Sequence, residues 1–347
     1  MRKTVDAIVA GVRDGLHPGA QLFVLHHGGE SFEFHTGDAS ASASMLESTR
    51  MLWMSAGKPI TAIAIMQQID KGKATLDTRV ADLIPTFGRS GKDAITIRHL
   101  LTHTAGFRGP LNSFAPGPWE AIIERCCALR QEPNWTPGAK AGYHVASSWF
   151  ILCELVRILD GRTIDQYVRK EIFAPVGAVD STLGISEDEF DGTESIVAPD
   201  FPGNTLVDAW TIPRPPANAQ GPMRDLAHIY LSLLNHDGKL LKPETSRLMI
   251  QRHREGMFDE TFKQTLDWGL GFKLDGKRYG HPEPYGYGEH ASDATFGHSG
   301  NQCACAFADP AHHLVVAWCT NGMPGEPKHQ TRQHAINSAI YEDLSLA

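Results

Sequence analysis

The chain has 347 residues, of which 41% are hydrophobic and 21% charged, the balance of an ordinary globular protein that can build one large core or two lobes. Its formal net charge of −8 gives no electrostatic support to a nucleic-acid partner. No stretch approaches 18 consecutive apolar residues, so the sequence predicts no membrane-spanning helix. The 17 histidines are scattered without the paired spacing of a zinc site, and we expect no metal and no cofactor.

The first 20 residues predict an amphipathic helix. Basic residues are present, but Asp6, Arg13 and Asp14 interrupt any continuous apolar segment of the kind found in a signal peptide. We therefore predict a cytoplasmic location.

Six cysteines occur at irregular spacings without a C-x-x-C pair, which indicates buried thiols in a reducing compartment. Cys303 and Cys305 alternate in an apolar run, so we expect both on one face of a strand, packed in the core.

Local patterns predict several elements in the first half of the chain. Two β-rich runs within residues 20–38 flank His27-Gly28-Gly29 and predict a hairpin. Residues 56–71 predict a long amphipathic helix, with Gly72 following as a C-cap. Its apolar positions at helical spacing are Ile60, Ile63, Ala64, Met66 and Ile69. Helical stretches at 119–130 and 146–161 are separated by loops rich in Pro and Gly.

The last third of the chain returns to helix at 223 and then to strands. The apolar runs QCACAFADP (302–310) and HLVVAWCTNG (313–322), joined at Asp309-Pro310, predict a second hairpin. Strands at both ends with helices between them indicate an α/β domain built from residues 1–74 and 223–347, with a helical insertion at 75–222.

Ser55 and Lys58 stand three residues apart at the start of the predicted helix, so their side chains point to the same side. A serine hydroxyl is a weak nucleophile that needs a base nearby. A lysine supplies that base when burial lowers its pKa. The pair alone more often marks a serine N-cap followed by an exposed lysine, so its surroundings must decide.

The surroundings of this pair carry a family resemblance. Ser55-Ala56-Gly57-Lys58 leads into an Ile/Met-rich helix, followed by ATLDTRVADLIPTF (74–87) and ITIRHLLTHTAGF (95–107). Along nearly its whole length the chain resembles the serine β-lactamase-like hydrolases, which include class C β-lactamases, D-amino-acid-specific peptidases and family VIII carboxylesterases. The resemblance implies a β-lactamase/penicillin-binding-protein-like α/β (α+β) fold: an antiparallel sheet flanked by helices, an inserted mostly helical domain, and the active site between them.

The same resemblance implies roles for further residues. Tyr143, in Tyr143-His144-Val145, would share or relay the proton of Ser55, as the Tyr of the family's Tyr-x-Asn motif does. His298-Ser299-Gly300 stands where the family has K-T-G or H-x-G and opens a strand; His298 would orient the substrate or support proton transfer. Gly300 would let the backbone approach the substrate, and the N–H groups of Ser55 and Asn301 would form the oxyanion hole.

The sequence departs from the family at Val145, where β-lactamases and D-amino-acid peptidases have an Asn that contacts the substrate's amide. A valine lacks that donor and acceptor, which favours esters over amides. His144 is the alternative polar group at this place. His99 and His103 are spaced like a metal pair, but no third ligand is evident and we interpret them as structural.

We therefore expect a serine hydrolase that cleaves a small-molecule carboxylic ester through an acyl-enzyme on Ser55. A D-amino-acid peptidase or amidase, a β-lactamase and an acyltransferase are the alternatives. The presence of both Ser55 and Lys58 argues against a fourth alternative, a non-catalytic relative that only binds ligands. Loops 108–118 and 200–222 are expected to shape the pocket. The natural ester and the oligomeric state are not predicted.

Overall fold

A computed structural model describes residues 1–27, 29–110, 117–184, 196–197, 213–280 and 282–347, with only the backbone given at 196–197. Gly28 of the first predicted hairpin, and residues 111–116 and 200–212 of the predicted pocket loops, lie outside the described residues.

Within the described residues the α-helices are α1 (Arg2–Arg13), α2 (Lys58–Asp70), α3 (Val80–Leu83), α4 (Ile97–Leu101), α5 (Trp119–Ala128), α6 (Ser147–Asp160), α7 (Ile164–Val168), α8 (Met223–Asn235), α9 (Pro243–Ile250) and α10 (Glu326–Asp343). The strands are β1 (Gly19–His26), β2 (Glu30–Gly37), β3 (Arg50–Leu52), β4 (Thr182–Leu183), β5 (Ile196–Val197), β6 (Ala219–Gly221), β7 (Arg254–Asp259), β8 (Gln264–Trp268), β9 (Lys273–Leu274), β10 (Phe296–Ser299), β11 (Ala304–Asp309) and β12 (Leu314–Thr320). Short 3₁₀-helices occur at Met54–Gly57, Pro85–Gly88, Ala174–Val176 and Lys277–Tyr279, and a π-helical turn at Arg169–Phe173.

The main sheet joins both ends of the chain. Among the described residues it has eight strands in the order β2-β1-β12-β11-β10-β9-β8-β7, and all its pairings are antiparallel. The two predicted hairpins are confirmed as β1–β2 and β11–β12, and β1 pairs with β12 so that Gln21 lies opposite Cys319. Strands predicted at the two ends of the sequence therefore form one sheet.

Helices cover both faces of this sheet, so its central strands are buried throughout. In β11 the side chains of Ala304 and Ala306 enter the core that contains α2 and α8, whereas Cys305 and Phe307 enter the core beneath α1 and α10. A strand covered on both sides does not alternate between buried and exposed residues.

The cysteines are confirmed as free and buried. The expectation that Cys303 and Cys305 share one strand face is wrong. Cys303 precedes the first residue of β11, and its side chain packs in the same core as Cys319. Cys305 packs on the opposite face of the sheet.

Helix α2 is buried on all sides rather than amphipathic, which corrects the sequence prediction. Every residue from Lys58 to Gln68 is buried. Helix α6 packs along it, and the turn between β8 and β9 approaches so closely that a Cβ atom on Gly271 would lie 2.3 Å from the Cβ of Ala62. An apolar helix without a polar face is the form that the centre of a protein accommodates.

A small second sheet has the order β4-β6-β3-β5 within the described residues. Strand β3 comes from the first predicted domain segment, and the other three strands come from the predicted insertion. This sheet therefore bridges the predicted boundary at residue 74, and the division into domains stays a prediction. Helix α10 was not predicted, because its buried face includes the polar residues His329, Arg332, Gln333 and Asn337 and presents no apolar stripe.

The all-round burial of α2 predicts that Ile65, which faces away from the predicted apolar stripe, contributes as much stability as a core residue. Ile65→Ala should lower the free energy of unfolding by about 2–5 kcal/mol, because it leaves a cavity in a packed interior. Ile158→Ala, in an isoleucine of α6 that is 42% exposed, is the matched control and should cost less than about 1 kcal/mol. Urea unfolding followed by circular dichroism measures both; equal small losses would contradict the burial of this side of α2.

Candidate active site

Ser55 lies in the 3₁₀-helix Met54–Gly57, immediately ahead of α2. The first backbone hydrogen bond of this helix is donated by the amide of Ala56 to the carbonyl of Trp53, so the N–H of Ser55 stands before it. Met54 has a φ of 50°, a backbone conformation that non-glycine residues rarely adopt and that is concentrated at functional sites. The serine is thus presented at a sharp entry to a buried helix.

Lys58 is fully buried directly behind Ser55. Its Nζ donates to the Oγ of Ser55 at 2.6 Å and to the carbonyl of Pro216 at 3.0 Å, and both acceptors are uncharged. The rings of Tyr143 and Trp149 lie 5.3 and 5.8 Å from Nζ. Burial holds the pKa of Lys58 well below its ordinary value. The amine can therefore be neutral in its ground state and accept a proton.

Tyr143 lies on the loop before α6, with its ring beside the Lys58 amine. Burial raises the pKa of the phenol, and this outweighs the interaction with the Ser55 hydroxyl, which lowers it. The tyrosine is consequently a neutral hydroxyl that can pass a proton between groups. It is not a standing phenolate base.

Asp259 at the end of β7 fixes the Tyr143 loop, a role that no sequence pattern indicated. One carboxylate oxygen accepts hydrogen bonds from the backbone N–H groups of Tyr143, Thr261 and Phe262, at 3.1, 2.8 and 3.0 Å. The other oxygen accepts from Nη2 of Arg254 at 3.0 Å, and both side chains of this ion pair are fully buried. The hydroxyl of Thr261 also donates to the carbonyl of Tyr143 at 3.0 Å.

His103 supports the same loop from the helical side. Its Nδ1 accepts from the N–H of His144 at 2.9 Å, and its carbonyl accepts from the N–H of Gly142 at 2.9 Å. The ring centroid lies 4.6 Å from that of Tyr143. Arg254 ties the two supports together, because its Nη1 donates to the carbonyl of Thr102. The expectation of a structural role for His103 agrees with these contacts.

His298 lies in β10 on the far side of Tyr143, with ring centroids 6.0 Å apart. Its Nδ1 donates to the carbonyl of Ser299 at 2.9 Å, which leaves Nε2 as the unprotonated nitrogen of a neutral ring. Burial lowers the pKa of His298 to about 3. No polar atom of the described residues bonds to the buried Nε2, so this lone pair is available as an acceptor.

Gly300 brings the end of β10 against the segment that carries Ser55. A Cβ atom there would lie 2.4 Å from the carbonyl oxygen of Trp53 and 3.1 Å from the Cβ of Met54, so only glycine allows this approach. Asn301 follows in the turn between β10 and β11. The motif closes β10, whereas the sequence suggested that it opens a strand.

His144 is turned away from the site. Its Nε2 accepts from the N–H of Gly106, and its Nδ1 lies 2.9 and 3.0 Å from the hydroxyls of Ser147 and Ser148. Burial lowers its pKa to about 3. This arrangement opposes the expectation that His144 offers a polar group to the substrate. Val145, by contrast, is 42% exposed.

A cavity of about 360 Å³ lies beside Tyr143, and the start of the predicted pocket loop 108–118 contributes to it; we name it the Arg108 pocket. It is lined by Arg108, Gly109, Glu132, Tyr143, Val145 and Thr261.

The other histidine candidates are engaged elsewhere. His99 completes the capping box of α4 with Thr96. His236, in a second H-x-G sequence, ends α8 and contacts Ser246 rather than a strand. The described part of the chain contains no group of three or more His, Cys, Asp or Glu side chains arranged to hold a metal ion. None of its helices has the length and apolar character required to cross a bilayer.

A family model described as beta-lactamase matches residues 2–340. The chain belongs to the beta-lactamase family. Among solved structures, a penicillin-binding protein homologue from Caulobacter crescentus has a TM-score of 0.80 at 23% identity, covering 96% of both chains. A family VIII carboxylesterase has a TM-score of 0.78 at 24% identity, covering 97% of this chain and 96% of the other. These likenesses confirm the predicted antiparallel-sheet fold, and membership of this hydrolase family supports an enzyme.

Curated relatives match over a smaller share of the chain and carry different names. A putative D-alanyl-D-alanine carboxypeptidase of Escherichia coli K12 is 24% identical over 298 residues, which cover 75% of this chain and 66% of that protein. The acyltransferase mokF of Monascus pilosus is 26% identical over 307 residues, covering 75% of this chain and 73% of the relative. The chain thus spans about two thirds of the Escherichia coli protein's length.

The support of Tyr143 by Asp259 predicts a loss of both stability and activity in Asp259→Ala. Removing the carboxylate leaves the buried guanidinium of Arg254 uncompensated, which should cost about 3–5 kcal/mol of unfolding free energy. The kcat for whichever substrate is turned over should fall at least about tenfold under conditions where the variant is folded, because the Tyr143 loop loses its backbone acceptor. Glu260→Ala, which removes the neighbouring exposed carboxylate, is the control and should leave both quantities nearly unchanged. Wild-type kcat in folded Asp259→Ala would disprove the positioning role.

Proposed function

We propose that this protein is a serine hydrolase that cleaves carboxylic esters through an acyl-enzyme on Ser55. The observation that carries the proposal is the buried Lys58 amine, whose Nζ lies 2.6 Å from the Oγ of Ser55 with only uncharged hydrogen-bond acceptors around it. A neutral amine at this distance activates a hydroxyl that is otherwise a poor nucleophile.

In the neutral state of Lys58 the Ser55 hydroxyl is the donor across the 2.6 Å contact with Nζ. Acylation begins when this hydroxyl transfers its proton to Nζ and Oγ attacks the ester carbonyl carbon. Negative charge then develops on the carbonyl oxygen. The N–H of Ser55, which stands ahead of the first helical hydrogen bond, and the N–H of Asn301 are the proposed donors to that oxygen. Gly300 supports this assignment because it brings the Asn301 turn against the serine segment.

The tetrahedral intermediate collapses when the leaving alkoxide receives a proton. Tyr143 supplies it as a neutral phenol and recovers a proton from the Lys58 ammonium. His298 presents Nε2 as an acceptor that orients the phenol or the substrate. In deacylation a water molecule gives a proton to the same pair and attacks the acyl carbon. The bond to Oγ of Ser55 then breaks, the pair returns the proton to Oγ, and the carboxylic acid departs.

Ester substrates are favoured over amides by Val145. This side chain is exposed beside Tyr143 and offers only methyl groups, and His144 makes its hydrogen bonds elsewhere. Without a hydrogen-bond donor and acceptor at this position, the site gains little binding free energy from an amide group in the substrate. Peptide cleavage and acyl transfer are the competing proposals, because one relative is named as a carboxypeptidase and another as an acyltransferase.

The deciding experiment compares p-nitrophenyl butyrate with a chromogenic cephalosporin. Wild type should hydrolyse the ester and leave the lactam almost untouched, and Ser55→Ala should lower ester turnover by at least about a thousandfold. Ser31→Ala, an exposed serine on β2, is the matched control and should keep wild-type turnover. Ester turnover that survives Ser55→Ala would show that Ser55 is not the nucleophile. Strong lactam turnover would make a β-lactamase the better proposal than an esterase.

The depressed pKa of Lys58 predicts the pH dependence. The base is active when neutral, so kcat/KM should fall as the pH drops through the pKa of Lys58 and reach its plateau well below pH 10.5. His298, with a pKa of about 3, is already neutral at the pH values where this fall in kcat/KM is expected, so it does not cause the fall. Lys58→Arg should lose at least about a thousandfold at every pH, because a guanidinium does not release its proton. A wild-type rate that still rises near the ordinary lysine pKa would refute a neutral Lys58.

A further inference from the structure

The Arg108 pocket shares Tyr143 with the proposed catalytic group, so a group bound there lies next to the side chain proposed to protonate the leaving oxygen. Its volume of about 360 Å³ is at the lower end of the range for small-molecule sites. The chemistry of its walls therefore selects among substrates.

The head of Arg108 is held in one orientation. Its Nε and Nη2 donate to the two carboxylate oxygens of Glu132 at 2.8 and 2.5 Å, and its Nη1 donates to the hydroxyl of Thr261 at 2.9 Å. The guanidinium lies over the ring of Trp135 at 5.2 Å. Gly142 makes room for it, since a Cβ atom there would lie 2.9 Å from Nη1. A ligand therefore binds to a guanidinium group that is already ordered, and little conformational entropy is lost on binding.

These bonds use three of the five N–H groups of the guanidinium, which leaves one on each terminal nitrogen. The charge of Arg108 is already balanced by Glu132. A ligand carboxylate would be brought close to the carboxylate of Glu132, and a ligand ammonium would face N–H donors of like charge. An uncharged oxygen acceptor meets neither penalty.

The remaining walls are apolar. Val145, which is exposed, Gly109 and Tyr143 contribute to these walls. A fitting group therefore combines a short hydrocarbon segment with one neutral, hydrogen-bond-accepting oxygen, as in a second ester, a lactone or a ketone.

The pocket faces the alcohol side of the ester, an assignment that rests on the proposed function. Tyr143 must protonate the leaving oxygen, so the substituent on that oxygen lies next to Tyr143. The butyryl or other acyl part is bonded to the carbonyl carbon and extends in a different direction.

We propose that the Arg108 pocket is the subsite for the alcohol portion of the ester, and that it selects alcohols carrying a second, uncharged carbonyl or ether oxygen, with Arg108 as the specificity-determining residue. In the reverse direction, the same pocket receives an acceptor alcohol that attacks the acyl-enzyme, and Tyr143 takes its hydroxyl proton while passing its own proton to the neutral Lys58 amine.

Three butyrate esters test the proposal: heptyl butyrate, methyl 4-(butyryloxy)butanoate, and the free 4-(butyryloxy)butanoate anion. Release of butyrate is measured by chromatography. All three give the same butyryl-enzyme, so differences in kcat/KM report acylation alone. Wild type should prefer the neutral diester over the hydrocarbon by about tenfold, the factor expected for one hydrogen bond to a charged donor, and should disfavour the anion.

Two variants separate this role from a structural one. Arg108→Met should abolish the preference for the diester, whereas Arg79→Met, which breaks an exposed Arg–Asp pair, should retain it. Glu132→Gln leaves the guanidinium charge unbalanced, so the anion should become the better substrate. A merely structural Glu132 would lower all three rates together.

The outcomes also separate this inference from the proposed function. If none of the butyrates and no p-nitrophenyl butyrate is cleaved, the esterase proposal fails and the subsite falls with it. If p-nitrophenyl butyrate is cleaved but the three alcohols are used equally, or Glu132→Gln leaves their order unchanged, the esterase stands and the subsite is refuted.

Discussion

The hydrogen bond between the Lys58 amine and the Ser55 hydroxyl is the interaction on which the site depends, and it works only while the amine is kept away from water and from carboxylates. An ammonium group in water would hold its proton at neutral pH, and an adjacent carboxylate would hold that proton even more firmly. The surrounding structure avoids both. Helix α2 is buried on every side, and the second acceptor for the amine is the neutral carbonyl of Pro216. The central position of α2 is therefore a condition of the chemistry as well as of stability.

The Tyr143 loop, the proposed proton-relay side of the site, is held by an interaction that costs more free energy to form. The tyrosine loop has no regular secondary structure of its own, and a buried ion pair between Arg254 and Asp259 supplies its backbone acceptor. Removing two charges from water costs free energy that the pair does not fully return, so its value lies in orientation rather than in stability. The same hairpin tip contributes Thr261, which bonds to both Tyr143 and Arg108. Acid–base positioning and the pocket wall thus share one short turn.

What the sequence could predict was local. Helices and hairpins follow from periodicity and turn residues within a dozen positions, and Ser55 and Lys58 are three residues apart, so their proximity needed no tertiary information. Asp259 stands 116 residues from Tyr143, and no pattern marks an aspartate in a turn as the partner of a distant loop. The burial of α2 on its second face was equally hidden, because its neighbours arrive from remote segments. Helix α10 was missed for the opposite reason: polar side chains fill its buried face.

The position of β1 between β2 and β12 has a consequence for biosynthesis. β1 is one of the most apolar strands of the protein, and its second neighbour, β12, is encoded almost three hundred residues later. While the ribosome extends the chain, β1 offers an open hydrogen-bonding edge rich in Leu, Phe and Val, the kind of segment that pairs with other nascent chains. Chaperone protection of this segment matters until β12 emerges. Asn301, the proposed oxyanion donor, also emerges late, so on that proposal an unfinished chain carries Ser55 without a complete active site.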